Sequence, residues 1–164
     1  MWKAPANMAL RGVSGLTDIV SDAEQGPMND SGINVIRAFS DRGMMVWGAR
    51  TQDMTLVWRY IPVRRLFNSV ERDIQQMLRA VVFEPNNEAT WERVRGAIDN
   101  HLRQLWRQGA LLGNSEQEAY FVQVGKNRTM TPNDIDEGKL IVKVGMAAVK
   151  PAEFIVLQFS QNVK

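Results

Sequence analysis

From Pro62 onward the apolar residues Val63, Leu66, Phe67, Val70, Ile74, Met77, Leu78 and Val81 recur at i, i+3, i+4, i+7 spacing, which predicts a long amphipathic helix. Pro62 suits its first turn, where a missing N–H costs nothing. The stretch Phe83-Glu84-Pro85-Asn86 interrupts the pattern. Asn87 can then cap a second helix, with Glu88 in the first turn where the helix dipole favours a negative charge. Trp91, Val94, Ile98, Leu102, Leu105 and Trp106 form the buried stripe of that helix, and Gly109 or Gly113 ends it. A connection this short makes the two helices antiparallel neighbours packed on a sheet.

Elsewhere the period is two. Ile33 to Phe39 and Met44 to Ala49 read as a hairpin around Ser40-Asp41-Arg42-Gly43, with Gly43 free to take positive φ. Tyr120, Val122 and Val124 alternate with Phe121 and Gln123, and Leu140, Val142, Val144 and Met146 alternate with Ile141, Lys143 and Gly145. Between these runs Thr131-Pro132-Asn133-Asp134 predicts a capped helical turn. The first thirty residues mix Gly, Asn, Asp and Pro without period and predict a surface loop with little regular structure. The expected fold is α/β of the α+β type: a mixed β-sheet flanked by two long antiparallel helices, with a projecting carboxy-terminal strand.

That last strand departs from the pattern. Glu153-Phe154-Ile155-Val156-Leu157-Gln158-Phe159 is apolar on both faces of the pleat. Left wet, such side chains would forgo roughly 1.5 to 3 kcal/mol each, and a bare edge of this kind invites aggregation. The segment must therefore be covered. It is either a central strand of this chain's own sheet or a strand donated to another subunit, and sequence physics leaves both open.

Composition narrows the chemistry. A chain of 164 residues fits one domain. The absence of cysteine removes disulfides, thiol nucleophiles and cysteine-ligated zinc, and suits a reducing cytoplasm. No apolar run reaches the roughly 18 residues of a membrane span, and Met1 to Leu10 contains no export signal. The net charge of +2 comes from 20 basic and 18 acidic residues, too balanced for a chain devoted to nucleic acid. The basic residues concentrate in the middle third, where nine arginines face six acids between Arg59 and Arg107. Arg95, Asp99, Arg103 and Arg107 fall on the outward face of the second helix, either as a solvated face with internal ion pairs or as a patch for an acidic partner. A nucleic-acid-binding module using these central helices is the alternative function, although no exposed aromatic accompanies the arginines to stack on bases.

The search for catalysis returns little. His101 is the only histidine and has no partner at ligand spacing, so a histidine-dependent triad lacks its base. Asp18, Asp22 and Glu24 do not match a calcium loop, Asp134, Asp136 and Glu137 read as solvated turn residues, and no phosphate-binding glycine motif occurs. The chain is expected to be no enzyme and to need no cofactor or metal.

Specific strings go further. Trp2-Lys3-Ala4-Pro5-Ala6-Asn7, Glu24-Gln25-Gly26 with Gly32-Ile33-Asn34, Val46-Trp47-Gly48-Ala49-Arg50-Thr51, Trp58-Arg59-Tyr60-Ile61-Pro62-Val63-Arg64-Arg65-Leu66-Phe67, Phe83-Glu84-Pro85-Asn86 and Ala148-Val149-Lys150-Pro151-Ala152-Glu153-Phe154 resemble, in order, the tail sheath proteins of contractile phages and related injection machines. The resemblance runs from Trp2 to about Phe159.

It implies a structural subunit that polymerises around an inner tube as stacked rings and contracts to drive the tube through a target membrane. Its partners would be other sheath subunits and the inner tube protein, with no nucleic acid and no small-molecule ligand. Assembly would occur in the bacterial cytoplasm, within a virion tail or phage-tail-like particle. The resemblance divides the chain into an assembly core, residues 1–150, and a carboxy-terminal arm, residues 151–164. Lys150 and Pro151 would form the root of the arm, and Glu153, Phe154, Ile155, Val156, Leu157 and Phe159 the donated strand. Gly145 to Ala148 would be the flexing region before it. A charged surface would rest on the inner tube, with Arg95, Arg103 and Arg107 as one candidate and Lys126 and Arg128 as another. Two departures stand out: the long amino-terminal half of the family is absent here, and Thr51 to Val57 is less polar than the family leads one to expect.

Overall fold

The computed structural model describes residues 1–153. In chain order the elements are β1 (Met8–Ala9), α1 (Asp22–Asp30), β2 (Val35–Phe39), β3 (Gly43–Trp47), α2 (Ile61–Arg79), α3 (Glu88–Arg107), α4 (Glu116–Ala119), β4 (Tyr120–Val124), α5 (Pro132–Asp136) and β5 (Val142–Met146). The class is the expected mixture of helices and sheets.

The two long helices form for the reasons read from the sequence. Pro62 lies in the first turn of α2. Asn87 caps α3 by accepting from the Thr90 N–H at 3.1 Å. Gly109, at φ +79, follows the end of α3, so the earlier of the two candidate glycines terminates it. The helices run antiparallel: Asp73 of α2 approaches His101 of α3, while Met77 further along α2 and Val81 just past its end share a hollow with Val94 and Ile98 earlier on α3. Leu66 and Val70 meet Val94, Ile98 and Leu102 in the core, which Ala110, Leu111, Ala119 and Tyr120 close from the β4 side.

The strands divide differently from the single mixed sheet expected. Among the described residues they form two antiparallel sheets, one in the order β1-β3-β2 and the other pairing β4 with β5. The cause is connectivity. β2 and β3 join through a tight turn at Gly43, φ +74, too short for the crossover that parallel strands require, and β4 and β5 pair antiparallel across the segment that carries α5. The alternation holds in β4, where Tyr120 and Val124 are buried and Phe121 is exposed.

The loop expected over the first thirty residues contains a helix. In α1 the Ser21 hydroxyl accepts from the Glu24 N–H at 3.4 Å, and the Glu24 carboxylate accepts from the Ser21 N–H at 2.9 Å. This capping box holds a helix with no buried residue, containing Gly26 and Pro27, which is why no apolar period announced it.

Candidate functional site

Four of the sequence strings meet in space around one side chain, Arg50. It follows β3, and Asn34 brackets its main chain: the Arg50 N–H donates to Asn34 Oδ1 at 2.8 Å, and Asn34 Nδ2 donates to the Arg50 carbonyl at 2.7 Å. Gly48 permits this approach, since a Cβ there would lie 2.6 Å from Asn34 Oδ1. On the other side the Ile61 N–H donates to the Ala49 carbonyl at 2.9 Å and the Thr51 N–H to the Arg59 carbonyl at 2.7 Å, which joins this segment to the start of α2.

The Arg50 guanidinium uses its donors in two directions. Nη1 donates to the Asn29 carbonyl at 2.9 Å and to Asp30 Oδ1 at 3.1 Å, both at the end of α1. Nε reaches both Glu153 oxygens at 3.1 Å, and Nη2 reaches Oε2 at 2.7 Å. The Tyr60 hydroxyl adds a bond to the same oxygen at 3.3 Å. Arg50 is 7% exposed and Glu153 15%, whereas Asp30 is 79% exposed, so the Glu153 pair is the strong one. The hydrogen bonds to Glu153 raise the Arg50 pKa against the opposing effect of burial, so the group is a fixed cation.

Residues 150–153, where the root of an arm is expected, are thus held against the rest of the described chain. Lys150 Nζ donates to the Leu56 carbonyl at 3.2 Å. Pro151, Ala152 and Glu153 form one wall of an open cleft of ≈ 530 Å³ whose other walls come from Ala4, Gln25 and Trp47. Of the residues assigned to the arm, Lys150, Pro151 and Glu153 gather here, and Phe154, Ile155, Val156, Leu157 and Phe159 lie outside the described residues. Arg50, Asn34 and Tyr60 were not singled out by their chemistry. The available signal was membership of the family-like strings.

The proposed flexing region is not loose. Gly145 pairs with Phe121 inside the β4–β5 ladder, under the Phe121 ring. Beyond it the Ala147 N–H donates to the Ala119 carbonyl at 2.8 Å and the Leu112 N–H to the Ala147 carbonyl at 2.7 Å.

The two basic candidates separate by their partners. Arg95 is paired with Glu92. Arg103 bonds Asp99 at 2.9 Å and Glu116 at 2.9 Å, tying α3 to α4. Arg107, Lys126 and Arg128 are exposed and make no ion pair among the described residues. Lys126 and Arg128 share a tight loop in which the Gly125 carbonyl accepts from Arg128, Thr129 and Met130 N–H groups at 3.2, 3.0 and 3.2 Å, with Asn127 at φ +60. Of the three candidates on α3, Arg95 and Arg103 are therefore already paired, while Arg107 has no ion pair among the described residues.

Among the described residues there is no group of His, Cys, Asp and Glu able to hold a metal, and no helix long and apolar enough to cross a membrane. His101 on α3 faces α2, its Nε2 buried without a hydrogen-bond partner among the described residues and 3.6 Å from Asp73. The chain belongs to the phage tail sheath family: residues 53–162 match the phage tail sheath C-terminal domain.

Known proteins agree in fold. A tail sheath protein of Vibrio phage KVP40 is 26% identical over 163 residues, covering 96% of this chain and 23% of the phage protein. The helical sheath of the anti-feeding prophage in its contracted state is 60% identical with a TM-score of 0.93, covering 98% of this chain and 45% of that one. The contracted sheath complex of an extracellular contractile injection system, PVC, is 59% identical with a TM-score of 0.95, covering 99% and 46%. The chain spans less than half the length of the proteins it matches.

Proposed function

We propose that this chain is the assembly core of a contractile sheath subunit, polymerising with its own kind around an inner tube and contracting to drive that tube through a target membrane. The observation that carries this reading is the near-complete overlap with two contracted sheaths at 59% and 60% identity. Such a subunit has a structural rather than a catalytic role, and assembles in the bacterial cytoplasm as part of a virion tail or phage-tail-like particle.

Residues 1–150 act as the core and residues 151–164 as an arm whose strand, Glu153 to Phe159, is donated to a neighbouring copy. Two features support this. The strand is apolar on both faces, and in the β4–β5 pair the outer edges have no strand partner among the described residues, which is what an incoming strand extends. Contraction then moves each domain as a rigid body while the contacts between copies rearrange. Lys126 and Arg128 are the better candidates for the inner tube, because Arg95 and Arg103 are already paired. Deleting residues 154–164 from the complete subunit and imaging the product tests the arm. The expected result is loss of continuous sheaths, and normal sheaths would refute the donated strand.

A further inference from the structure

Beyond Ala147, itself bonded to Ala119 and Leu112, the chain is tied to the domain at three successive points. The Val149 N–H donates to the Ala110 carbonyl at 3.2 Å, Lys150 Nζ to the Leu56 carbonyl at 3.2 Å, and the Glu153 carboxylate receives the Arg50 fork. These ties are unequal. The first is one backbone bond beside the isolated Leu111–Ala148 bridge, and the second comes from an exposed lysine. The third is a charge-assisted, two-point pair between largely buried groups, the strongest of the three in kind.

The position of Arg50 gives that pair a mechanical meaning. Its main chain is locked to Asn34, its flanking residues to Arg59 and Ile61, and its other guanidinium nitrogen to Asn29 and Asp30. A pull arriving at Glu153 is therefore shared at once by α1, by the segment after β3 and by the start of α2. Without the pair, the same pull would reach the Lys150 tie first, then Val149 and Ala147, and would break these bonds one at a time.

We propose that Arg50 is a positioning residue that transmits tension from the arm into the whole domain, so that an arm gripped by another copy drags the domain rigidly instead of peeling β5 from β4. This rests on the arm reading given above, and the experiment must separate the two. Complete subunits carrying Arg50→Met, Arg50→Lys or Glu153→Gln are assembled into particles beside one lacking residues 154–164. Continuity of the sheath is counted by electron microscopy before and after triggered contraction, and amide exchange at Ala147 and Val149 is measured in the folded chain.

The expected result is that Arg50→Met forms extended sheaths, that exchange at the two amides quickens by about tenfold or more, and that several-fold fewer sheaths stay continuous after contraction. Arg50→Lys, which keeps the charge but loses the fork, falls between. Glu153→Gln leaves Arg50 in place and gives the same contraction defect, which covers the case in which Arg50→Met fails to fold. Contracted sheaths as continuous as the wild type in both neutral variants would overturn the proposal, while a deletion that still abolishes assembly leaves the arm reading standing. Normal sheaths from the deletion would instead remove the arm reading itself.

Discussion

Arg50 and Glu153, 103 positions apart, close on each other with Nη2 2.7 Å from Oε2 in a site that leaves 7% of the arginine and 15% of the glutamate exposed. Among the described residues neither has a second strong partner of opposite charge, since Asp30 is largely in water. Glu153→Gln keeps the shape and removes the charge, leaving a buried guanidinium without its counter-ion. Stability of the isolated chain should fall by roughly 1.5 to 3 kcal/mol, the range for hydrogen bonds to charged groups. Urea unfolding measures it, and an unchanged midpoint would mean that the pair contributes no net stability.

This pair also marks the limit of what could be read from the sequence. The long helices were legible because α2 and α3 each bury one continuous stripe, so that period and packing say the same thing. The β2–β3 hairpin was legible because Gly43 sits at its turn. Helix α1 was missed because it buries nothing, and only the Ser21-to-Glu24 spacing advertised it. Arg50 was missed for a different reason: an arginine after a strand looks like any solvated cation until a glutamate from the far end of the chain arrives beside it. No local pattern encodes such a meeting. The family resemblance did, because Asn34, Arg50, Tyr60 and Glu153 each lie in one of its strings.

Two capping boxes make the fold sensitive to acid. Hydrogen bonds from Ser21 hold the Glu24 carboxyl below its usual value, and those from Thr131 do the same for Asp134. The unfolded chain therefore binds more protons than the folded one as pH falls. The stabilisation from these caps is fully present above the ordinary carboxylate range and is lost as pH drops through the lowered folded values. Both groups lie at the surface, so the effect is modest. A series of thermal melts from neutral pH downward should show stability declining below the ordinary carboxylate range, with a shallower decline in a Ser21→Ala, Thr131→Ala double variant.

Gly145 is the position where a side chain added to β5 would displace the Phe121 ring. A Cβ there would stand 2.2 Å from the Phe121 ring, which covers the glycine across the ladder. Phe121 is on the exposed face and can swing out, but the strand pair loses its aromatic cover when it does. Gly145→Val should cost about 1 to 3 kcal/mol by overpacking. Adding Phe121→Ala to it should recover part of that loss. A double-mutant cycle on the isolated chain reads the coupling, and additive effects would show that the ring and the glycine do not depend on each other.

The proposed inner-tube contact can be tested by charge reversal, because the basic residues differ in what they already hold. Arg103 links α3 to α4 through Asp99 and Glu116, so Arg103→Glu sets three carboxyl groups against one another and should damage folding before it touches any partner. Lys126 and Arg128 are exposed on a loop built by backbone bonds to the Gly125 carbonyl, and their side chains serve no ion pair among the described residues. Reversing both, Lys126→Glu with Arg128→Glu, should leave the melting temperature of the chain within a degree or two of wild type. If that loop rests on the tube, the same pair of changes should weaken tube retention in assembled particles, and more so at low salt than at high salt, as expected for exposed charges. Co-sedimentation of the inner tube with the sheath at two salt concentrations makes the measurement. Full retention by the reversed loop at both concentrations would place the contact elsewhere, with exposed Arg107 as the remaining candidate among those named.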